Sequence, residues 1–264
     1  MVIGFIGLGN MAKAMIGGIL GHRIVSPEDI IGSAATEATM QHMKEEFGIR
    51  TDPSNKAVAK EADVLVLAVK PLTLPVVLEE IMDVVTEDKL IISVAAGKTT
   101  KWISQYFSKP VKIVRCMPNT PALVQEGCSA VCRNENVSDE DLKKALHIIS
   151  SFGLAEVVNE NLMDVVGGVS GAAPAYVFMF IEALADAGVK GGMQRKQAYR
   201  FAAQTVMGSA KLMLETKRHP AELKDMVCSP GGTTIEGLEV LEKDGFRAAV
   251  MEAIDACVKK SKEL

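Results

Sequence analysis

Two glycine-rich stretches at opposite ends of the chain hold the residue types that could do chemistry. Toward the C-terminal end, Ser229-Pro230-Gly231-Gly232-Thr233-Thr234-Ile235-Glu236-Gly237-Leu238 sets two adjacent glycines and two threonines at the start of an expected helix. Such a loop offers bare backbone N–H groups to an anion without a lysine or arginine. Two readings of its threonines stay open. Threonine caps helices well, and a hydroxyl there could equally donate to a substrate whose carboxylate lies in the loop. Toward the N-terminal end, Gly7-Leu8-Gly9-Asn10-Met11-Ala12 follows an apolar run and opens a helix. That is the context in which G-x-G-x-x-G/A binds a dinucleotide: Gly7 makes the tight turn, Gly9 lets backbone approach a pyrophosphate, and Ala12 permits close helix–strand packing. A cofactor turn at one end and an anion loop at the other point to a redox enzyme acting on a small carboxylate.

The type of dinucleotide turns on the end of the second expected strand. That strand closes on Gly32-Ser33-Ala34-Ala35-Thr36, with no acid to hold a ribose 2′-hydroxyl; Glu28 and Asp29 sit at its other end. Ser33 and Thr36 could donate to a 2′-phosphate, although no arginine is present to grip it, so the reading favours NADP. Three further segments leave expected strand ends: Ala68-Val69-Lys70-Pro71, Ala95-Ala96-Gly97 and Met117-Pro118-Asn119-Thr120-Pro121. Lys70 reads as a solvated strand-end lysine or a phosphate contact, and Asn119 between prolines reads as a turn residue. The four histidines form no cluster, and Cys128-x3-Cys132 lacks a second pair, so no metal site is expected. Hydride transfer needs little more, because the cofactor carries the chemistry and the protein positions it.

The elements that must position these residues follow from hydrophobic patterning. Apolar runs at Val2–Ile6, Ile30–Ser33, Val64–Val69, Leu90–Val94, Lys112–Cys116 and Ser129–Cys132 predict strands, with helical patterns between most of them: Met11–Gly21, Thr36–Phe47, Leu74–Val84 and Thr100–Phe107. Continuously apolar strands are those of a parallel sheet covered on both faces. The fold class is α/β: a doubly wound, Rossmann-type domain over residues 1–159, followed by an all-α domain over 160–264. Helices are expected at Leu162–Gly168, Ala173–Ala187, Arg195–Glu215, Ala221–Val227, Gly232–Lys243 and Phe246–Lys260. Ala175–Ile181 is apolar nearly all round and needs burial on every side. Either a partner subunit or the domain's own bundle would supply it. The small residues of Gly167–Ala175 read mainly as close packing.

At 264 residues, 48% hydrophobic and with net charge −4, the chain is globular and carries no basic block, which excludes the nucleic-acid-binding and membrane-surface classes. The N-terminus enters a strand directly, without the pattern of a secretory signal. The apolar helix Ala172–Leu184 is interrupted by Glu182 and too short to span a bilayer. The five scattered cysteines read as buried free thiols of a reducing compartment, which makes the expected location cytoplasmic.

Gly4-Phe5-Ile6-Gly7-x-Gly9-Asn10-Met11-Ala12, Ala68-Val69-Lys70-Pro71, Arg115-x-Met117-Pro118-Asn119-Thr120-Pro121, Ser170-Gly171-x-x-Pro174-Ala175-Tyr176 and Ser229-Pro230-Gly231-Gly232-x-Thr234, in this order over nearly the whole chain, resemble pyrroline-5-carboxylate reductase. The resemblance implies reduction of 1-pyrroline-5-carboxylate to L-proline by NADPH, with NADH also admitted. It implies a helical domain that interlocks with a second subunit into a homodimer, and larger rings of dimers in some members. It places the cofactor against Ile6, Gly7, Leu8, Gly9, Asn10, Met11, Ser33, Asn55, Ala68, Val69, Lys70, Pro71, Ala95, Ala96 and Gly97. The substrate carboxylate falls to Ser229, Gly231, Gly232 and Thr233, the ring nitrogen to Thr234, the catalytic candidate, and Glu160 lies near the substrate. Two departures stand out: Ala34-Ala35 replaces a basic residue that many relatives carry after the serine, and Met226 stands where some have a polar residue. A β-hydroxyacid dehydrogenase would have a similar layout, but it relies on a lysine in the first long helix of its second domain, and Gly171–Ala187 has none. A cofactor sensor without catalysis would have no use for a carboxylate loop.

Overall fold

In the computed structural model, which describes residues 1–263, the apolar runs of the first half form one eight-stranded sheet. Its strands are β1 (Ile3–Ile6), β2 (Ile30–Ser33), β3 (Arg50–Thr51), β4 (Val64–Leu67), β5 (Leu90–Ser93), β6 (Lys112–Met117), β7 (Gly127–Arg133) and β8 (Gly153–Val157). They lie in the order β3-β2-β1-β4-β5-β6-β7-β8, and every neighbouring pair is parallel except β6 and β7. The first six therefore follow the 3-2-1-4-5-6 order of a dinucleotide-binding sheet, with the crossovers reversing between β1 and β4. β1, β2, β4 and β5 are buried at every residue, which is why their sequences read as continuous apolar runs. Alternate residues enter opposite layers: Val64 and Val66 join one core, Leu65 and Leu67 the other.

The crossovers are α1 (Asn10–Gly21), α2 (Glu37–Phe47), α3 (Asn55–Glu61), α4 (Leu74–Ile81), α5 (Thr100–Ser104) and α6 (Asp139–Ile149). Thr36, Ser54, Thr99 and Ser138 each accept the N–H three residues on, fixing the starts of α2, α3, α5 and α6. β3 and β8 are additional to the six strands the patterning predicts. β3 is a two-residue pairing of polar side chains, and β8 is largely solvent-facing, so neither leaves an apolar run.

After Val157 the described residues hold no strand. The elements are α7 (Met163–Val166), a π-helical turn (Gly167–Ala172), α8 (Ala173–Lys190), α9 (Arg195–Thr216), α10 (Pro220–Val227), α11 (Thr233–Lys243) and α12 (Phe246–Ser261). The chain divides into two compact units, one of Met1–Ala172 with the stretch from Cys257, the other of Ala173–Ala256. The first unit thus extends past residue 159. The reason is local: Met163 is buried with Ala130 and Cys132, and Asp164 accepts a hydrogen bond from Ser261 at 2.8 Å.

Within the second unit α8 and α9 meet along Ala185, Ala198 and Ala202, the buried residues of that unit's core, with Ile181 and Val189 beside them. Small side chains here let two helices approach closely. Most other apolar residues are open: Phe178 is 64% exposed and Met179 69%. Ala175–Ile181 is therefore not buried by its own unit. Two expectations are corrected. The apolar stretch is not too short to span a bilayer, because the glycine-rich π turn joins its helices into a 31-residue run, Glu160–Lys190, long and apolar enough by length and composition to cross one. The five cysteines are free, but only Cys116 and Cys132 are buried; Cys128, Cys228 and Cys257 are half-buried.

Candidate active site

The turn between β1 and α1 is built by glycines with different jobs. Gly7 sits at φ +94°, and a Cβ there would lie 2.6 Å from the carbonyl oxygen of Ala68. Only glycine lets the chain turn this tightly against the end of β4. Its N–H donates to Ser33 O at 2.9 Å, and Ala68 donates to Ile6 O at 2.8 Å, which ties the ends of β1, β2 and β4 together. Gly9 is the opposite case: a Cβ there would meet nothing within 4 Å. It caps α1 with no side-chain hydrogen bond and no acid in the first turn. The N–H groups of Asn10, Met11 and Ala12 are left for an anion that approaches over Gly9, so the turn fits a dinucleotide pyrophosphate. Leu8 packs inward against Gly32, so only its backbone is available to a ligand.

A cavity of about 770 Å³ opens beside this turn, and Ile6, Gly7, Ser33, Asn55 and Val69 all line it. Ser33 Oγ donates to Asn55 Oδ1 at 2.7 Å, and Asn55 Nδ2 donates to Glu80 at 2.6 Å. The remaining expected cofactor residues do not line this cavity. Ala68, Lys70 and Pro71 follow β4, and Ala95, Ala96 and Gly97 follow β5, at the carboxyl ends where open α/β sheets bind ligands. Lys70 is exposed. One wall of the cavity escaped the sequence reading: Glu37, Met40, Gln41 and Lys44 on α2. Their spacing of three, four and seven residues marks one helix face, but nothing local tells which face looks at the cavity.

Glu160 is held within the first unit. It accepts from the N–H and the hydroxyl of Thr100, at 2.7 and 2.9 Å, and Arg115 Nη1 lies 3.4 Å away. Arg115 is buried while the Glu160 carboxylate stays 29% exposed, so the arginine anchors the acid from below and leaves one side of it to solvent. Burial, reinforced by the Glu160 charge, pushes the nearby Cys132 thiol up to about 12; burial does the same to Cys116. Neither supplies a thiolate nucleophile near neutral pH. Asn119 is more than a turn residue. It is buried, donates to Ser170 O at 3.0 Å and accepts from Cys128 N at 2.8 Å, pinning the β6–β7 connection to the π turn.

In the second unit the Ser229–Thr234 loop shows which residue caps α11. The N-cap of α11 is Gly232, with no side-chain cap. Thr233 and Thr234 are its first two residues, and neither caps it. The hydroxyls of Ser229, Thr233 and Thr234 take part in no hydrogen bond among the described residues. Gly231 stands at φ +67°, which favours glycine, and Gly232 N donates back to Ser229 O at 3.0 Å. The loop is a tight turn ahead of an open helix start, with three free hydroxyls and one acid, Glu236, in the first helical turn.

Known proteins share this arrangement across the whole chain. A family described as pyrroline-5-carboxylate reductase dimerisation matches residues 160–264, and one described as NADP oxidoreductase coenzyme F420-dependent matches residues 2–97. The pyrroline-5-carboxylate reductase of Escherichia coli strain K12 is 51% identical over 262 residues, which cover 99% of this chain and 97% of that protein. The chain belongs to the pyrroline-5-carboxylate reductase family. Solved members agree in fold. The Coxiella burnetii pyrroline-5-carboxylate reductase superposes with a TM-score of 0.92 at 36% identity, covering 99% of this chain and 97% of that one. The Plasmodium falciparum pyrroline carboxylate reductase, solved with NADP bound, gives 0.90 at 36% identity, covering 100% and 97%. The NADP oxidoreductase match spans the glycine turn and every residue lining the cavity, and the dimerisation match spans α7 to α12.

Proposed function

We propose that the Gly7–Met11 turn, Ser33, Asn55 and the loops after β4 and β5 hold NADPH, that the Ser229–Thr233 loop holds the substrate carboxylate, and that Thr234 meets the ring nitrogen. The reaction is the family's: 1-pyrroline-5-carboxylate becomes L-proline, with NADPH as reductant. The cofactor, when bound, supplies a hydride to the imine carbon. The C=N electron pair then moves onto nitrogen, which takes up a proton. A threonine hydroxyl is a weak acid, so Thr234 acts as donor and orienter. The proton itself enters with the iminium form of the substrate or from a water behind the hydroxyl. Glu160, anchored by Thr100 and Arg115, is a negative group that would favour the protonated imine if the substrate lies beside it.

The observation that carries this reading is a pair of helix starts in one chain, α1 and α11, both capped by glycine without a side-chain bond. The first fits a pyrophosphate and the second a carboxylate. The second unit's exposed apolar side chains support a homodimer, because each large one gains about 1.5–3 kcal/mol on full burial. They also account for the apolar run Glu160–Lys190 as a subunit contact within a cytoplasmic enzyme. Rings of such dimers would appear as multiples of the dimer mass.

The test is oxidation of NADPH and of NADH, followed at the reduced-nicotinamide absorbance, with 1-pyrroline-5-carboxylate. The expected result is turnover with both and faster turnover with NADPH. Folded protein that binds NADPH yet oxidises neither cofactor would overturn the assignment.

A further inference from the structure

The cavity beside the glycine turn holds a charge that the established family activity does not assign. Among its lining residues Lys44 is the only cation and Glu37 the only anion. Both lie on the same face of α2, seven residues and about 10 Å apart. Lys70, next to the lining residue Val69, is exposed and makes no ion pair among the described residues, but it does not itself line the cavity. The charged groups flanking α2 are committed. Lys13 pairs with Glu46, His42 also meets Glu46, Gln41 bonds Glu45, and Arg50 pairs with Glu61. Lys44 takes part in no ion pair or side-chain hydrogen bond among the described residues.

The end of β2 cannot supply the missing charge. Ser33 gives its proton to Asn55, which turns its amide to Glu80. Ala34 and Ala35 carry no donor. The start of α2 is closed as well, since Thr36 accepts the Thr39 N–H and Glu37 sits in the first turn. A 2′-phosphate with nearly two negative charges that enters this cavity meets one uncommitted positive group among the lining residues.

We infer that Lys44 is the residue through which this chain distinguishes NADP from NAD, pairing with the 2′-phosphate, and that Glu37 opposes it. The inference rests on the assignment of this cavity to the adenosine half of the cofactor. Lys44 reaches from the second turn of α2 to do what a basic residue after Ser33 would do from the loop. Glu37, at the start of α2, would repel a bound 2′-phosphate and accept from a 2′-hydroxyl, which keeps NADH usable. Discrimination is then moderate, and it weakens with salt because the pair is solvent-exposed.

The experiment is calorimetric titration of the full-length protein with 2′,5′-ADP and with 5′-AMP, at low and at moderate salt. Lys44→Ala is expected to weaken 2′,5′-ADP binding about tenfold, to flatten its salt dependence and to leave 5′-AMP unchanged, while Lys44→Arg retains the preference. Glu37→Gln is expected to tighten 2′,5′-ADP several-fold and to weaken 5′-AMP. Lys44 is an exposed helical position, so the variants keep the fold, and circular dichroism verifies it. Equal weakening of both ligands by Lys44→Ala, or of neither, overturns the role of Lys44. A companion variant, Ala35→Glu, puts a carboxylate on the cavity wall independently of α2. If it weakens 2′,5′-ADP while Lys44→Ala does not, the cavity assignment stands and the lysine's role falls. If neither variant has an effect, both fall.

Discussion

The two units of this molecule treat their apolar residues in opposite ways. In the first, strands such as Val64–Leu67 and Leu90–Ser93 are buried at every position, and helices close both faces of the sheet. In the second, the buried core is three alanines between α8 and α9, while Phe178, Met179, Phe201 and Leu214 face outward. One unit is finished by its own chain. The other leaves apolar helix surfaces exposed, in the region that matches the pyrroline-5-carboxylate reductase dimerisation family. The contrast teaches that the dinucleotide-binding-type fold is self-contained, while the second unit leaves its apolar side chains open to association, in keeping with the dimerisation family it matches.

That contrast can be broken first at its firmest point. Gly7→Val would force a branched side chain against Ala68 O in a left-handed backbone conformation. NADPH binding should drop below detection in a fluorescence titration while the dimer persists; retained binding would mean that the turn does not hold the cofactor. Phe178→Glu is the reverse probe. A charge on the exposed face of α8 should raise the dimer dissociation constant by about two orders of magnitude or more. Mass photometry reads that change, and NADPH affinity in the first unit should stay as it was.

Smaller effects sharpen the substrate half. Thr234→Ala removes a donor but not the proton source, so kcat should fall about ten- to hundredfold without vanishing. An unchanged kcat in steady-state assays would remove the threonine from the reaction. Gly231→Ala strains a φ of +67° by about 1 kcal/mol, which should raise the KM for 1-pyrroline-5-carboxylate about fivefold and leave the KM for NADPH alone. The smallest expected effect is none: Cys116 and Cys132, with thiols pushed up to about 12, should resist alkylation of the folded enzyme at neutral pH, as mass spectrometry would record.

Much of this was legible in the sequence, and what was not shares a physical cause. Six strands and the glycine turn are written in local patterns, because strand burial and a tight turn each impose their residue types on the spot. β3 and β8 left no pattern, since two paired polar residues and a solvent-facing edge do not need apolar runs. Lys44 and Glu37 were hidden for another reason: the direction of a helix face is decided by packing, which spacing alone does not reveal. The anchoring of Glu160 joins Thr100 and Arg115 across 60 and 45 residues, and no short motif encodes a contact of that span. The threonines of the Ser229–Thr234 loop could be read as caps until the helix start was seen to belong to Gly232; their role as ligands rests on the proposal.

The most direct test of the account is sedimentation of the active species, with NADPH oxidation followed as the enzyme moves through a solution of 1-pyrroline-5-carboxylate. The account predicts that activity travels only with a dimer of the 28.2 kDa chain or a multiple of it. Activity that travels with the 28.2 kDa monomer would contradict it, because the second unit would then have completed its work without a second copy.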